Sequence, residues 1–207
     1  ERRRFLDIEI SQIKPKYFYS LQKYNRLLSQ RNNLLKDIQK KPPMRKGLEV
    51  WSEQLAEVGS YIIWERAKFL DELKKVSNSI HKALTFGNEE FEIIYKPSIN
   101  KKENIKETKN HFLEVLDNIR DSDIDRGITQ RGCHRDDMVF NINNIDTRTY
   151  GSQGQQRTVV LSIKLAEIEI MKKTTGETPI LLLDDVFSEL DEYRKKMLLN
   201  SIGNIQT

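Results

Sequence analysis

Apolar and aromatic side chains recur at Tyr17, Leu21, Tyr24, Leu28, Leu35 and Ile38 in alternating steps of four and three, with Arg31 filling one seam position. That heptad spacing predicts a helix with one buried stripe. The pattern stops at Gln39-Lys40-Lys41-Pro42-Pro43, where two prolines remove backbone donors and force an extended turn, so a reversal is expected. A second periodic stretch runs through Leu48, Trp51, Leu55, Val58, Ile62, Phe69, Val76 and Ile80, and Gly87 stands where a C-terminal cap is expected. Two antiparallel helices follow, forming a short helical arm and not an extended coiled coil. Trp51 and Trp64 are assigned to packing in that arm ahead of stacking on nucleic-acid bases.

Beyond the arm the period changes. Glu90 to Lys96 carries Phe91, Ile93, Ile94 and Tyr95, which favours a strand. Ile105, Phe112, Val115, Leu116 and Ile119 share one side of a helix predicted from Asn104 to about Arg120, ended by Asp121-Ser122-Asp123. Met138–Ile142 and Ile145–Tyr150 flank Asn143-Asn144, residues that tolerate positive φ and suit a tight hairpin. A polar, glycine-containing turn, Gly151-Ser152-Gln153-Gly154-Gln155-Gln156-Arg157, then opens a helix through Val159, Ile163, Ala166 and Ile170. Last, Pro179-Ile180-Leu181-Leu182-Leu183-Asp184-Asp185 is an apolar run ending in two carboxylates, as a buried parallel strand reads when its C-terminal end faces a ligand crevice.

Composition narrows the class. With 207 residues, 37% hydrophobic and 32% charged, the chain can bury one core with a second small module beside it. No apolar run approaches the roughly 20 residues needed to cross a bilayer, and Glu1-Arg2-Arg3-Arg4 is not followed by the apolar stretch of a signal peptide, so a cytoplasmic protein without a membrane role is expected. The single cysteine, Cys133, excludes an internal disulfide framework and a cysteine-based zinc site. A net charge of +4 with acids and bases intermixed argues only weakly for nucleic acid.

Two segments carry candidate chemistry. The free N–H groups at a helix start, with the positive end of the helix dipole, suit an anion such as phosphate, and Ser152 adds a hydroxyl. The same residues also read as an ordinary serine N-cap. Asp184 and Asp185 at a strand end suit magnesium, one carboxylate holding the ion and its neighbour orienting or deprotonating a water. Ser188 and Asp191 are each explained as structural caps, Asp191 ahead of a helix beginning near Glu192. His134, Asp136 and Asp137 offer too few ligands for a metal nuclease, and His81 and His111 have no ligand spacing around them.

Ser152-Gln153-Gly154-Gln155 resembles the signature motif of ABC-type ATPases in the form carried by the RecF family. Leu181-Leu182-Leu183-Asp184-Asp185 resembles the Walker B strand, and Ser188-Glu189-Leu190-Asp191 the D-loop. Gly132-Cys133-His134-Arg135-Asp136-Asp137 and Tyr150–Thr158 are also similar to RecF sequences, with Cys133 a departure from the expected proline, and Arg2-Arg3-Arg4-Phe5-Leu6-Asp7 resembles the point where such chains leave the first ATPase lobe. The resemblance implies an α/β fold, part of an ABC-type ATPase head with an inserted antiparallel helical arm. It divides the chain into a connection (1–16), an arm (17–120) and a signature and Walker B lobe (121–207). It further implies an ATP-dependent homodimer in which Ser152 and Gln155, with Gln153 and Gly154, meet the nucleotide held by the other subunit. Asp184 then serves Mg2+ and Asp185 acts catalytically on the water. Implied partners are duplex DNA near a gap or junction and a RecR-type mediator, in recombinational repair and recombinase loading; Arg2, Arg3, Arg4, Lys14 and Lys16 form the candidate DNA-binding cluster. Two rival readings are a non-enzymatic interaction module and another SMC-type DNA ATPase, the latter disfavoured by the short arm.

A P-loop needs Gly-x-x-x-x-Gly-Lys-Ser/Thr, and none occurs: Gly127–Gly132 has the glycine spacing, but Cys133-His134 follow it. The chain therefore reads as a fragment holding half a composite ATP site. Titration calorimetry of this chain with ATP and magnesium is expected to detect no tight site; micromolar binding with steady turnover would contradict the half-site reading.

Overall fold

The computed structural model describes residues 2–180 and 192–202. In chain order the described elements are α1 (Arg2–Ile13), α2 (Pro15–Lys40), a 3-10 turn (Pro42–Gly47), α3 (Leu48–Leu84), β1 (Phe91–Lys96), α4 (Ile105–Asn118) and α5 (Arg120–Arg126). A 3-10 turn (Cys133–Arg135), β2 (Asp137–Ile142), β3 (Ile145–Asp146), α6 (Thr147–Tyr150), α7 (Gln153–Thr175) and α8 (Glu192–Ile202) follow. The fold is α/β and mostly helical, with a three-stranded sheet in the order β1-β2-β3 and β2 antiparallel to β3. Two compact units divide it: residues 1–69 with 95–138, and residues 70–94 with 139–207.

In the first unit, α2 and α3 form the expected antiparallel hairpin. Leu35 and Ile38 pack on Leu48 near the turn, Arg31 bonds Ser52 one step further along, and Tyr24 lies against Gly59 beyond that. Tyr17, Tyr24, Leu27, Arg31, Leu35 and Ile38 are the buried residues of α2, so Leu27 takes a core place where the heptad reading put Leu28. Arg31 occupies the seam because its charge is answered there: Nη1 donates to Asp123 Oδ2 and to Thr129 Oγ1, both at 2.7 Å. Pro15 at the first position of α2, where its missing N–H costs nothing, separates α2 from α1, a helix absent from the sequence reading.

Two local expectations are corrected, and two are met. Asp121-Ser122-Asp123 does not end a helix; α4 stops at Asn118 and the acids open α5, where they complement the positive end of the helix dipole. Asn143 (φ 49) and Asn144 (φ 67) make the predicted two-residue turn, with Ile142 opposite Ile145. The second strand ends at Asp146, however, because that carboxylate accepts the Arg148 N–H and starts the helical turn α6. At the end of α3, Gly87 N–H bonds the Lys82 carbonyl at 2.8 Å as anticipated. The left-handed residue that turns the chain there also includes Phe86 (φ 54), a rare conformation for a bulky side chain.

The second unit centres on α7. Leu161 and Leu165 meet Leu84, with Leu198 of α8 completing a buried cluster. Val159, Ile163, Ala166 and Ile170, the stripe read from the sequence, are all buried.

Gly59 is required by close approach. A Cβ there would lie 2.5 Å from Phe112 Cε1 and 3.0 Å from Tyr24 Cε2. Gly59→Ala should therefore lower stability by about 1–3 kcal/mol through overpacking despite its gain in helix propensity. Urea unfolding measures this, and an unchanged midpoint would show that the hairpin repacks freely around Phe112.

Candidate functional site

The turn before α7 is built by local hydrogen bonding. Ser152 is extended (φ −61, ψ 158), and its Oγ accepts the Gln155 N–H at 3.2 Å while Gln155 Oε1 accepts the Ser152 N–H at 3.0 Å. This reciprocal capping box satisfies two donors that a helix start leaves open. Gln156 Nε2 donates to the Thr147 and Gly151 carbonyls, and Gly151 is pressed so closely on Thr147 that a Cβ would meet its backbone oxygen at 2.5 Å. The turn is therefore fixed from both sides.

Ser152, Gln153 and Gly154 are exposed. Ser152 Oγ acts as an acceptor in the cap, so its own hydrogen remains available to an incoming oxygen. Gln155 is committed more fully. Its Oε1 lies in the cap and its Nε2 donates to Glu89 Oε1 at 3.0 Å. Gly154 has no structural need to be glycine among the described residues: a Cβ would approach nothing nearer than Ser152 Oγ at 3.9 Å. In a helical turn, glycine costs roughly 0.5–1 kcal/mol relative to alanine, so something other than local packing accounts for it. Asp184, Asp185, Ser188 and Asp191 lie outside the described residues.

The loop carrying His134, Asp136 and Asp137 is structural. Arg66, buried on α3, donates from Nη1 to Asp136 Oδ2 (2.7 Å) and to the Cys133 carbonyl (2.5 Å), and from Nη2 to Asp7 Oδ1 (2.8 Å). Asp136 also accepts from Tyr95 Oη and the Ser98 N–H. Burial pushes the Asp136 carboxyl up, and Arg66 and these donors oppose that shift. Burial acts the same way on Asp137, but there the hydrogen bonds from Arg2 and the Met138 N–H prevail and hold it below the usual range. Burial pushes the Cys133 thiol up to about 12, so it is not a nucleophile. No group of three or more His, Cys, Asp or Glu side chains among the described residues could hold a metal ion.

The basic cluster is partly committed. Arg2 forms a bidentate pair with Asp137, Lys14 pairs with Glu65, and Lys16 Nζ lies 4.7 Å from the Tyr61 ring centroid. Arg3 and Arg4 are exposed. Trp64 is a packing residue, its Nε1 donating to Thr108 Oγ1 at 2.9 Å. No helix among the described residues is long and apolar enough to cross a membrane.

No family model matches the chain. Over 209 residues it is 51% identical to the DNA replication and repair protein RecF of Acetivibrio thermocellus, covering 100% of this chain and 57% of that relative. The RecF protein of Oceanobacillus iheyensis is 48% identical, again over 100% of this chain and 57% of its own length. The solved structure of the recombination mediator protein RecF with ATP, in the RecFOR pathway, superposes with a TM-score of 0.90 at 42% identity, covering 99% of this chain and 55% of that one. Over its whole length the chain is similar to RecF proteins. It spans about half the length of the RecF relatives it matches. The Ser152 turn and the Arg66-anchored loop are thus parts of a RecF-type fold.

Sequence reasoning missed Glu89 and Arg66. Glu89 follows a helix end without motif spacing, and Arg66 sits in an apolar periodic stretch that gives a charged residue no reason to face inward. A polar residue on an otherwise apolar face is the one signal that could have found Arg66.

His134 supplies a pH test of the loop. Its Nε2 faces the Thr129 carbonyl (3.0 Å), an acceptor only, so Nε2 carries the hydrogen and Nδ1 accepts from Tyr24 Oη (2.8 Å). Burial lowers its pKa to about 4, opposed by the bond to Thr129. The folded state thus holds a neutral ring while the unfolded ring titrates near 6.5. Protons favour the unfolded chain between these values, so stability is full above about 6.5 and is lost as pH falls toward about 4. The loss should be on the order of 3 kcal/mol beyond that of His134→Gln, measured by urea unfolding at each pH. Parallel pH profiles for the two proteins would refute the neutral-ring assignment.

Proposed function

We propose that this chain supplies the signature and Walker B half of an ATP site in a RecF-type protein that binds duplex DNA in recombinational repair and replication restart. Gly154 carries the reading: a glycine that costs helix stability, whose Cβ would meet no described atom nearer than Ser152 Oγ at 3.9 Å, and that lies beside a serine hydroxyl in an exposed capping turn. Such a turn lets a phosphate approach the backbone of a helix start, where N–H groups and the dipole favour negative charge. The solved relative that this chain matches with a TM-score of 0.90 is RecF with ATP, which supports the nucleotide as ligand.

In this reading the Ser152 hydroxyl and the first turn of α7 meet the γ-phosphate of ATP held on the P-loop of a second subunit, and nucleotide closes a homodimer. Asp184 and Asp185 of the same chain suit Mg2+ and the attacking water, the ion offsetting phosphate charge and the carboxylate orienting or deprotonating the nucleophile. α2 and α3 form the inserted helical arm, and closure of the dimer brings basic residues, among them Arg3 and Arg4, toward duplex DNA near gaps or junctions. A RecR-type mediator and a cytoplasmic setting complete the proposal.

The test uses the full gene product and sedimentation with and without ATP. Ser152→Arg should bind ATP yet remain monomeric, because a bulky cation fills the space the nucleotide needs. Asp185→Asn should bind ATP, dimerise and hydrolyse slowly, with longer residence on DNA. Gly154→Ala should leave the melting temperature unchanged or raised while weakening ATP-dependent dimerisation. Normal dimerisation by Ser152→Arg and Gly154→Ala would reduce the turn to a helix cap.

A further inference from the structure

A chain of polar contacts runs from the capping turn through the interior of the second unit, to which the turn itself belongs. Gln155 Nε2 donates to Glu89 Oε1, and the other carboxylate oxygen of Glu89 lies 3.0 Å from His81 Nε2. His81 Nδ1 lies 3.0 Å from Ser162 Oγ, which donates to the Thr158 carbonyl at 2.7 Å, and Thr158 Oγ1 donates to the Gly154 carbonyl at 2.8 Å. The path starts and ends on the candidate anion turn. His81, Ser162 and Thr158 are buried, and the imidazole also rests against Phe91, with ring centroids 5.1 Å apart.

Counting hydrogens gives this path a definite state. The Thr158 carbonyl only accepts, so the single hydroxyl hydrogen of Ser162 points to it. Nδ1 must then donate to Ser162 Oγ, and Nε2 must donate to the Glu89 carboxylate. With Ser162 bonded to that carbonyl, both ring nitrogens need hydrogens, so a doubly protonated His81 satisfies all of these contacts together; a neutral ring keeps Nε2–H on Glu89 and draws the Ser162 hydroxyl hydrogen to Nδ1, away from Thr158. Without that proton, one buried contact sets two acceptors face to face, an arrangement the low dielectric penalises.

Resting on the trans-signature reading, we propose that Glu89 is the positioning residue for Gln155, and that protonated His81 holds Glu89 in place. Among the described residues, Gln155 is the residue of the capping box with a side-chain bond outside the turn, so Glu89 decides whether its amide stays in the cap when phosphate arrives. The charged groups acting on His81 are Glu89, which favours the imidazolium, and Arg194 of α8, which opposes it. Burial is the largest influence and lowers the His81 pKa. The proton is therefore lost below the ordinary histidine value, and the Glu89 anchor weakens as pH rises through that range.

Glu89→Gln separates this assignment from a merely structural contact. A glutamine there can accept from Gln155 through Oε1 and donate through Nε2 to a neutral His81, supplying the missing hydrogen without a bound proton. In the full gene product, ATP-dependent dimerisation followed by sedimentation from pH 5.5 to 8 should weaken several-fold with rising pH for the wild type and stay level for Glu89→Gln. Glu89→Ala should need about tenfold more ATP at every pH, the effect of losing one charge-assisted hydrogen bond. In the absence of ATP, the Gln155 side-chain amide resonance should titrate with His81 in the wild type and not in Glu89→Gln or Glu89→Ala. Glu89→Gln following the wild-type pH profile, or proving as defective as Glu89→Ala, would overturn the proposal; so would a Gln155 amide that ignores pH in the wild type. If Ser152→Arg, run beside them, still dimerises with ATP, the trans-signature reading has failed, and the amide titration alone then decides whether Glu89 positions Gln155.

Discussion

The first unit depends on Arg66. A guanidinium buried on α3 holds Asp7 of α1, the hydroxyl of Tyr17 on α2, the Cys133 carbonyl and the Asp136 carboxylate. Three stretches of chain, α1, α2 and the Cys133–Asp136 loop, thus meet α3 at one charge. Such a charge is costly to bury and is tolerated because nearly every donor is matched; deleting a partner of a buried pair typically costs about 3–5 kcal/mol. The arrangement also explains why Gly132-Cys133-His134-Arg135-Asp136-Asp137, with acids and a histidine close together, is not a metal loop. Its carboxylates are spent on Arg66 and Arg2, and its imidazole is neutral and bonded at both nitrogens.

Arg31 repeats the principle about four turns further toward the hairpin tip, where Asp123 and Thr129 receive it. A hairpin with two buried arginines is less hydrophobic than a heptad seam suggests, and it gains register from that. Sliding α2 by one heptad would leave either guanidinium in an apolar site, so the ion pairs exclude alternative alignments that leucines alone would permit.

The second unit is organised from the start of α7. A capping box fixes Ser152 and Gln155, Gly151 abuts Thr147, and Glu89 reaches the capping glutamine from the segment after α3. The helix start is therefore rigid although it is exposed, which is the combination an anion site requires: donors already oriented, with little ordering cost on binding. Gly154 and the serine hydroxyl give that rigid turn an open side.

The sequence by itself determined most of the periodic elements and several of their ends. The α2–α3 hairpin, the Asn143-Asn144 turn, the helix after Ser152 and the RecF resemblance all rest on spacing, glycine, proline and capping chemistry, which act within a few residues of one another. It failed where a local signal has two local outcomes: Asp121-Ser122-Asp123 starts a helix as readily as it stops one, and Asp146 starts a helical turn in place of extending a strand. Only tertiary structure decided which charges are buried. Whether Arg31, Arg66, Asp123 and Asp136 face water or one another depends on partners as many as 98 positions away, as for Arg31 and Thr129, and no periodicity encodes that pairing. The same holds for Glu89 and His81, which have no motif and acquire their roles only because the chain brings Gln155 and Ser162 to them.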